Sequence, residues 1–170
     1  RVNEATRIGY IGRWSHEKGI DVLTQAIETL SSRYALELVL AGEPRFRSGT
    51  TLRTIEEELG ALRSPMRKLG WLSFTEFVAE VDVIVVPSRE PEAFGLVAIE
   101  AASAHVPVIV TDAGALGEVM GEEYPWVARA NDPADLSRIV ELFLTTEESE
   151  RSRVITRSYK RWEEHFSPRA

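Results

Sequence analysis

The chain has 170 residues, 44% of them hydrophobic and 28% charged, which suits one ordinary globular domain rather than a disordered segment. Its formal net charge of -7 argues against general nucleic-acid binding, which calls for clustered positive charge. With no cysteine, disulfides, thiolate catalysis and cysteine zinc sites are excluded, and no apolar run approaches the length of a membrane-spanning helix.

Short apolar runs recur along the chain, each followed by turn residues and then an amphipathic segment. Arg7-Ile8-Gly9-Tyr10-Ile11-Gly12 reads as a strand ending in glycine, after which Ile20, Leu23, Ile27 and Leu30 keep helical spacing. Leu36 to Ala41 is the next strand, stopped by Gly42. Thr50 to Leu62 reads as a helix, Met66 to Leu69 as a short strand closed by Gly70-Trp71, and Phe74 to Glu80 as a brief helix. Val83-Ile84-Val85-Val86 is an uninterrupted β-branched run ended by Pro87, the pattern of a strand buried on both faces. A helix carrying Glu100 follows, then a strand from Val106 to Thr111, a glycine loop, and a weaker strand from Trp126 to Ala128. Helices from Asp132 to Leu144 and from Glu148 to His165 finish the chain. This alternation predicts βαβ units, hence an α/β fold with a doubly wound, Rossmann-like parallel sheet spanning residues 1–170 as one domain. Such sheets bind ligands beyond the carboxyl ends of their strands, so polar residues just after strands are the functional candidates.

The first post-strand loop, Gly12-Arg13-Trp14-Ser15-His16-Glu17-Lys18-Gly19, sets two cations around the entry to a helix. Cations and free N–H groups at a helix N-terminus suit an anion. The loop is neither a dinucleotide fingerprint nor a Walker A motif, because G-x-G-x-x-G and G-x-x-x-x-G-K-[ST] are both absent. An Arg and a Lys in a loop are more often solvated surface charge than a phosphate clamp, but a second helix start of the same kind shifts that balance. It is Phe94-Gly95-Leu96-Val97, where Gly95 lets backbone approach a ligand and first-turn N–H groups are unpaired.

Glu100 stands between Leu96-Val97-Ala98-Ile99 and Ala101-Ala102-Ser103-Ala104, on a helix apolar all round and therefore expected to be buried. A buried carboxylate needs a polar partner. Helical side chains lean toward the N-terminus, so Glu100 is expected to reach the helix tip, where it could accept hydrogen bonds from a pair of sugar hydroxyls. A salt bridge or helix-dipole interaction is the structural alternative. Glu92 precedes the turn on its mouth side, and taken alone it reads as a solvated loop carboxylate. In the loop from Asp112 to Glu118, Glu118 serves a helix start or a ligand equally well. His16, His105 and His165 are scattered without metal-ligand spacing, so no metal site is expected. Trp14 and Trp71 follow strands and read as partly buried core aromatics rather than base-stacking residues.

Several motifs now stand in order: Gly12-Arg13 with Lys18-Gly19-Ile20-Asp21, Leu40-Ala41-Gly42, Leu69-Gly70, and Asp82 to Pro87-Ser88. The E-x7-E element from Glu92 to Glu100, Pro107-Val108-Ile109, and Gly114 with Glu118 complete the set. Together they resemble the C-terminal, donor-binding domain of a GT-B glycosyltransferase, closest to the retaining family 4, over nearly the whole chain. The resemblance implies a nucleotide-diphosphate-sugar donor in the crevice. Arg13 and Lys18 would then neutralise the diphosphate beside Gly12, and the backbone of Phe94, Gly95, Leu96 and Val97 would touch phosphate and sugar. Glu100 would hold the ribose hydroxyls, Glu92 would address the transferred sugar, and residues near Gly70-Trp71-Leu72 would contact the base. Glu92, Arg13 and Lys18 are thereby the implied catalytic residues. Neither a cofactor nor a metal is implied, since cations and helix dipoles supply the positive potential. Retention of anomeric configuration by front-face attack is also implied, with a donor phosphate oxygen helping to deprotonate the acceptor.

The chain departs from the family at three places. His105 stands where the family usually has Gly, and Gly114-Ala115-Leu116-Gly117-Glu118 replaces the frequent Gly-Gly-x-Pro-Glu. The sequence also holds no N-terminal acceptor domain and opens at Arg1, so it reads as a fragment that binds donor weakly and transfers nothing by itself. An acceptor glycan, lipid or small molecule, and any peripheral membrane contact, would belong to that missing domain. A cytoplasmic location is expected from the absent targeting signal and the cytosolic supply of nucleotide sugars. The competing readings are a GT-B sugar-nucleotide epimerase or phosphorylase, and a non-catalytic interaction domain in which Arg13, Lys18, Glu92 and Glu100 do not converge.

Overall fold

The computed structural model describes residues 5–43 and 49–168. Six strands, β1 (Thr6–Ile11), β2 (Leu36–Ala41), β3 (Met66–Gly70), β4 (Val83–Val86), β5 (Val108–Thr111) and β6 (Val127–Ala128), form one parallel sheet. Their spatial order is β3-β2-β1-β4-β5-β6. The chain winds outward from β1 to β3, then returns to lay β4 on the other side of β1. Helices following β1 and β4 therefore pack on opposite faces, and the strand order reverses between them, the topological switch point at which sheets of this kind bind ligands.

Strand periodicity of two sorts the side chains between two cores. Ile8, Tyr10, Leu38, Leu40, Val83 and Val85 pack with α1 (Ile20–Leu30), α2 (Gly49–Gly60) and α6 (Pro133–Thr145). Val39, Ala41, Ile84, Val108 and Val110 pack with α3 (Phe74–Val78), α4 (Leu96–Ser103) and α5 (Leu116–Met120). The last helix, α7 (Glu148–His165), joins both layers, with Val154 in the first core and Trp162 against the second. Each fully buried Leu, Ile or Val contributes about 1.5–3 kcal/mol, so these two layers supply most of what holds the sheet.

Two departures from the sequence expectations have local causes. β5 begins at Val108 rather than Val106, because Pro107 has no N–H for the ladder and the Val106 amide instead donates to Ala101 O at 3.0 Å, finishing the turn after α4. The glycine loop at 112–118 contains a further helix, α5, whose Leu116, Val119 and Met120 bury against the α4 layer.

Candidate functional site

The loop after β1 is built from beneath. The hydroxyl of buried Tyr10 donates to the Arg13 carbonyl, and Trp14 is only 6% exposed, its indole N–H donating to Ala41 O at 3.4 Å. Trp14 is thus a core residue that fixes the loop. At the loop's end Gly19 has φ 72° and lies so close to Pro87 that a Cβ would sit 1.8 Å from its carbonyl oxygen. The Glu17 carbonyl accepts from the amides of Arg89 and Glu90 at 3.0 and 3.3 Å. Arg89 then pairs with Asp21 of α1 at 2.7 Å and donates to Asn131 at 2.7 Å. The loops after β1 and β4 are therefore one body.

Glu92 lies where they meet. Lys18 Nζ donates to its Oε1 at 2.5 Å and Ser88 Oγ to the same oxygen at 2.6 Å. Burial alone would raise the Glu92 pKa, but the hydrogen bonds from Lys18 and Ser88 and the charges of Lys18 and Arg13 outweigh it, and the net shift is downward. The loop after β5 also reaches this point: the Glu92 amide donates to Ala113 O at 3.3 Å and the Ala115 amide to Glu92 O at 2.9 Å. Gly114, at φ 64°, lets them close, since a Cβ there would be 2.5 Å from Glu92 O. Arg13 is exposed, and among the described residues its guanidinium makes no hydrogen bond or ion pair. It is nonetheless near enough for its charge to favour ionised Glu92.

Next comes the start of α4, capped by Gly95 at φ 64° with no side-chain cap. Ala98 and Ile99 amides turn back to Gly95 O, while those of Gly95, Leu96 and Val97 have no acceptor among the described residues. These free donors face a surface on which Phe94 and Leu96 are 54% and 64% exposed. The unpaired first-turn amides expected at this helix start are present.

Glu100 corrects an expectation. It is exposed, not buried, and its carboxylate has no hydrogen-bond partner among the described residues. Ala98, Ile99, Ala101 and Ala102 cover the sides of α4 that meet the sheet, α5 and α7, while Leu96 and Glu100, one turn apart, share the stripe left open. Neighbouring atoms still desolvate the carboxylate enough to raise its pKa, with no compensating cation. Gly12, Arg13, Lys18, Glu92, Phe94, Gly95, Leu96 and Val97 thus gather on interlocked loops, with Glu100 one turn along the helix that starts there.

Other candidates lie elsewhere or play structural parts. His16 meets Glu58 of α2 at 3.3 Å. His105 adopts φ 55° and stacks on Tyr159, ring centroids 4.0 Å apart, which explains how a non-glycine residue holds a left-handed position after α4. Glu118 lies in the first turn of α5, where its carbonyl accepts from Arg161 at 2.8 Å. Trp71 contradicts the core reading: at 55% it is exposed just beyond edge strand β3. Ser88 and Asp21 stood in the motif set without a role; the Ser88 hydroxyl on Glu92 and the Arg89–Asp21 pair emerge only in the structure. Among the described residues no three His, Asp or Glu side chains cluster for a metal ion. A concavity of about 800 Å³ at the opposite ends of the strands is lined by Thr6, Arg7, Glu37 and Asp82. Its Arg7 and Asp82 are already paired at 2.8 Å.

Residues 5–146 match the family of glycosyl transferases group 1. An uncharacterized glycosyltransferase of Methanocaldococcus jannaschii is 33% identical over 138 residues, which cover 78% of this chain and 37% of the relative. A D-inositol 3-phosphate glycosyltransferase of Corynebacterium urealyticum is 36% identical over 124 residues, covering 68% of this chain and 29% of the relative. Among solved structures, Anabaena HepE in complex with UDP and glucose superposes with a TM-score of 0.84 at 19% identity, covering 96% of this chain and 45% of that one. The likeness is of fold, that of one Rossmann-like half of a GT-B glycosyltransferase. The chain spans well under half the length of the curated relatives it matches.

Proposed function

The chain belongs to the group 1 glycosyl transferases, and we propose that it forms the donor-binding, C-terminal half of a retaining, family 4-like enzyme that uses a nucleotide-diphosphate sugar. One observation carries this reading: Lys18 clamps Glu92 where the loops after β1 and β4 meet, with the Arg13 charge near it and the unpaired amides of the α4 tip a few residues on. That set matches a ligand with a doubly anionic centre and a neutral, hydroxyl-rich end. UDP and glucose in the structurally similar Anabaena protein lend support for the ligand class.

In this reading Arg13 and Lys18 flank the diphosphate, and the amides of Gly95, Leu96 and Val97 donate to its oxygens or to the sugar. Exposed, unpartnered Glu100 accepts from the ribose hydroxyls, and Glu92 accepts from the transferred sugar. The acceptor oxygen attacks the anomeric carbon from the face the diphosphate leaves. The bond from that carbon to the bridging oxygen breaks, its electron pair passes to the β-phosphate, and a phosphate oxygen takes the acceptor's proton. Arg13 and Lys18 stabilise the charge that develops, so transfer proceeds without a metal ion. The acceptor binds a domain outside this chain, which alone turns nothing over, and any peripheral membrane contact resides there. We place the enzyme in the cytoplasm, where nucleotide sugars are supplied; no helix among the described residues is long and apolar enough to cross a membrane.

A thermal-shift screen of UDP, GDP, ADP and their glucose conjugates tests the ligand class. A compound that binds only the native state raises the melting temperature as its concentration rises. No shift with any of the six contradicts the reading.

A further inference from the structure

The Glu92 carboxylate is held asymmetrically. Oε1 accepts from both Lys18 and Ser88, whereas Oε2 accepts no hydrogen bond among the described residues. The backbone of Glu92 is fixed separately by its paired hydrogen bonds with Ala113 and Ala115. Ser88 differs from Lys18 in how it is anchored. It is only 2% exposed, and its own carbonyl accepts from Thr111 Oγ1, at the fully buried end of β5, at 2.7 Å. Lys18 is a flexible cation whose ammonium the donor phosphates would attract. Once they take it, Ser88 is the remaining described group on Oε1.

We propose that Ser88 is a positioning residue: its hydroxyl, on a backbone anchored where Thr111 donates to the Ser88 carbonyl, holds Oε1 of Glu92 and so presents Oε2 to the transferred sugar. The inference rests on the donor reading above, in which Glu92 meets that sugar. Thr111 anchors the Ser88 backbone through its carbonyl, the Ser88 hydroxyl sets the direction of the carboxylate, and the lysine is left free to follow the phosphates. Removing the Ser88 hydroxyl lets the carboxylate turn with Lys18 toward the diphosphate. The enzyme then loses its hold on the sugar while keeping its hold on the nucleotide.

The test compares nucleoside diphosphate with nucleotide sugar. The 170-residue chain and its Ser88→Ala, Thr111→Val and Glu92→Gln variants are titrated with UDP, GDP, ADP and their glucose conjugates, and melting temperatures check folding. For the matched pair that binds the wild type, Ser88→Ala keeps its diphosphate affinity within about twofold and loses about tenfold on the glucose conjugate, the scale of one hydrogen bond to a charged group. Thr111→Val moves the same ratio in the same direction by about threefold, and it carries the test alone should Ser88→Ala not fold. Glu92→Gln selectively weakens the glucose conjugate. If Glu92→Gln discriminates while Ser88→Ala and Thr111→Val do not, Ser88 does not position the carboxylate and the donor reading stands. Equal weakening of both ligands by Ser88→Ala makes its role merely structural and overturns the proposal. If Glu92→Gln leaves both affinities unchanged, or no compound binds the wild type, the donor reading fails and takes this proposal with it.

Discussion

Lys18 Nζ and Glu92 Oε1 lie 2.5 Å apart, joining the loop after β1 to the loop after β4 across 74 residues of sequence. The pair gives two loops that emerge on either side of the switch point a common electrostatic centre. It also keeps a carboxylate ionised beside two cations, a state that an incoming polyanion would reorganise.

The pair has a pH signature. The Glu92 pKa is lowered from 4.5 in the folded chain, so its stabilising contribution is complete above that value and is lost as pH falls through the depressed pKa. Glu92→Gln is expected to cost about 1 kcal/mol at pH 7, in line with a partly exposed ion pair. The difference from wild type should shrink as pH falls below 4.5 and through the lowered pKa in urea unfolding curves. A difference that stays constant with pH contradicts the assignment.

Glu100 carries the opposite sign. Its folded pKa is raised, so ionisation opposes folding: the contribution is favourable below the ordinary carboxylate value and is lost as pH rises through the raised one. Glu100→Gln is therefore expected to stabilise the ligand-free chain at pH 7, by less than about 0.5 kcal/mol because solvent reaches the group. The same change should weaken nucleotide binding. Paired melting and binding measurements check both; a loss of ligand-free stability at pH 7 contradicts the account.

Two glycines should respond oppositely to alanine. At Gly19 a Cβ would lie 1.8 Å from Pro87 O on a backbone with φ 72°, so Gly19→Ala should cost at least about 2 kcal/mol and loosen the loop that carries Lys18. Gly60, at the end of α2, has nothing within 4 Å of such a Cβ, and Gly60→Ala should be neutral or stabilising by up to about 1 kcal/mol. Urea midpoints separate the two outcomes.

His105 combines a left-handed backbone, φ 55°, with a ring stacked on Tyr159. His105→Gly relieves the first and loses the second, so it should remain within about 0.5 kcal/mol of wild type. His105→Ala keeps the strain without the stack and should cost about 1 kcal/mol. Chemical denaturation of both variants checks the order. Alanine more stable than glycine contradicts it.

The strand–helix alternation was legible because each buried strand is a short β-branched or aliphatic run between turn residues, as at Val83–Val86, and each surface helix keeps one apolar stripe, as at Ile20–Leu30. Five-residue α5 was not, since Leu116, Val119 and Met120 make barely more than one turn of pattern within a glycine-bearing segment. The exposure of Glu100 was illegible for a different reason: apolar neighbours in sequence say nothing about whether anything covers the fourth side of a helix. Trp14 and Trp71 make the same point, one under the first loop and the other beyond an edge strand. The Lys18–Glu92–Ser88 contacts depend on the switch-point topology, which brings together loops that no local pattern connects.

In the proposed donor site the cations, the bare helix tip and Glu100 serve one anionic ligand. Calorimetric titration with the nucleoside diphosphate that most stabilises the chain tests it most directly, in wild type, Arg13→Ala and Glu100→Ala. Hydrogen bonds to charged groups contribute roughly 1.5–3 kcal/mol, so saturable wild-type binding should weaken at least several-fold in each variant. Absence of saturable binding in the wild type, or affinities unchanged by both substitutions, contradicts it.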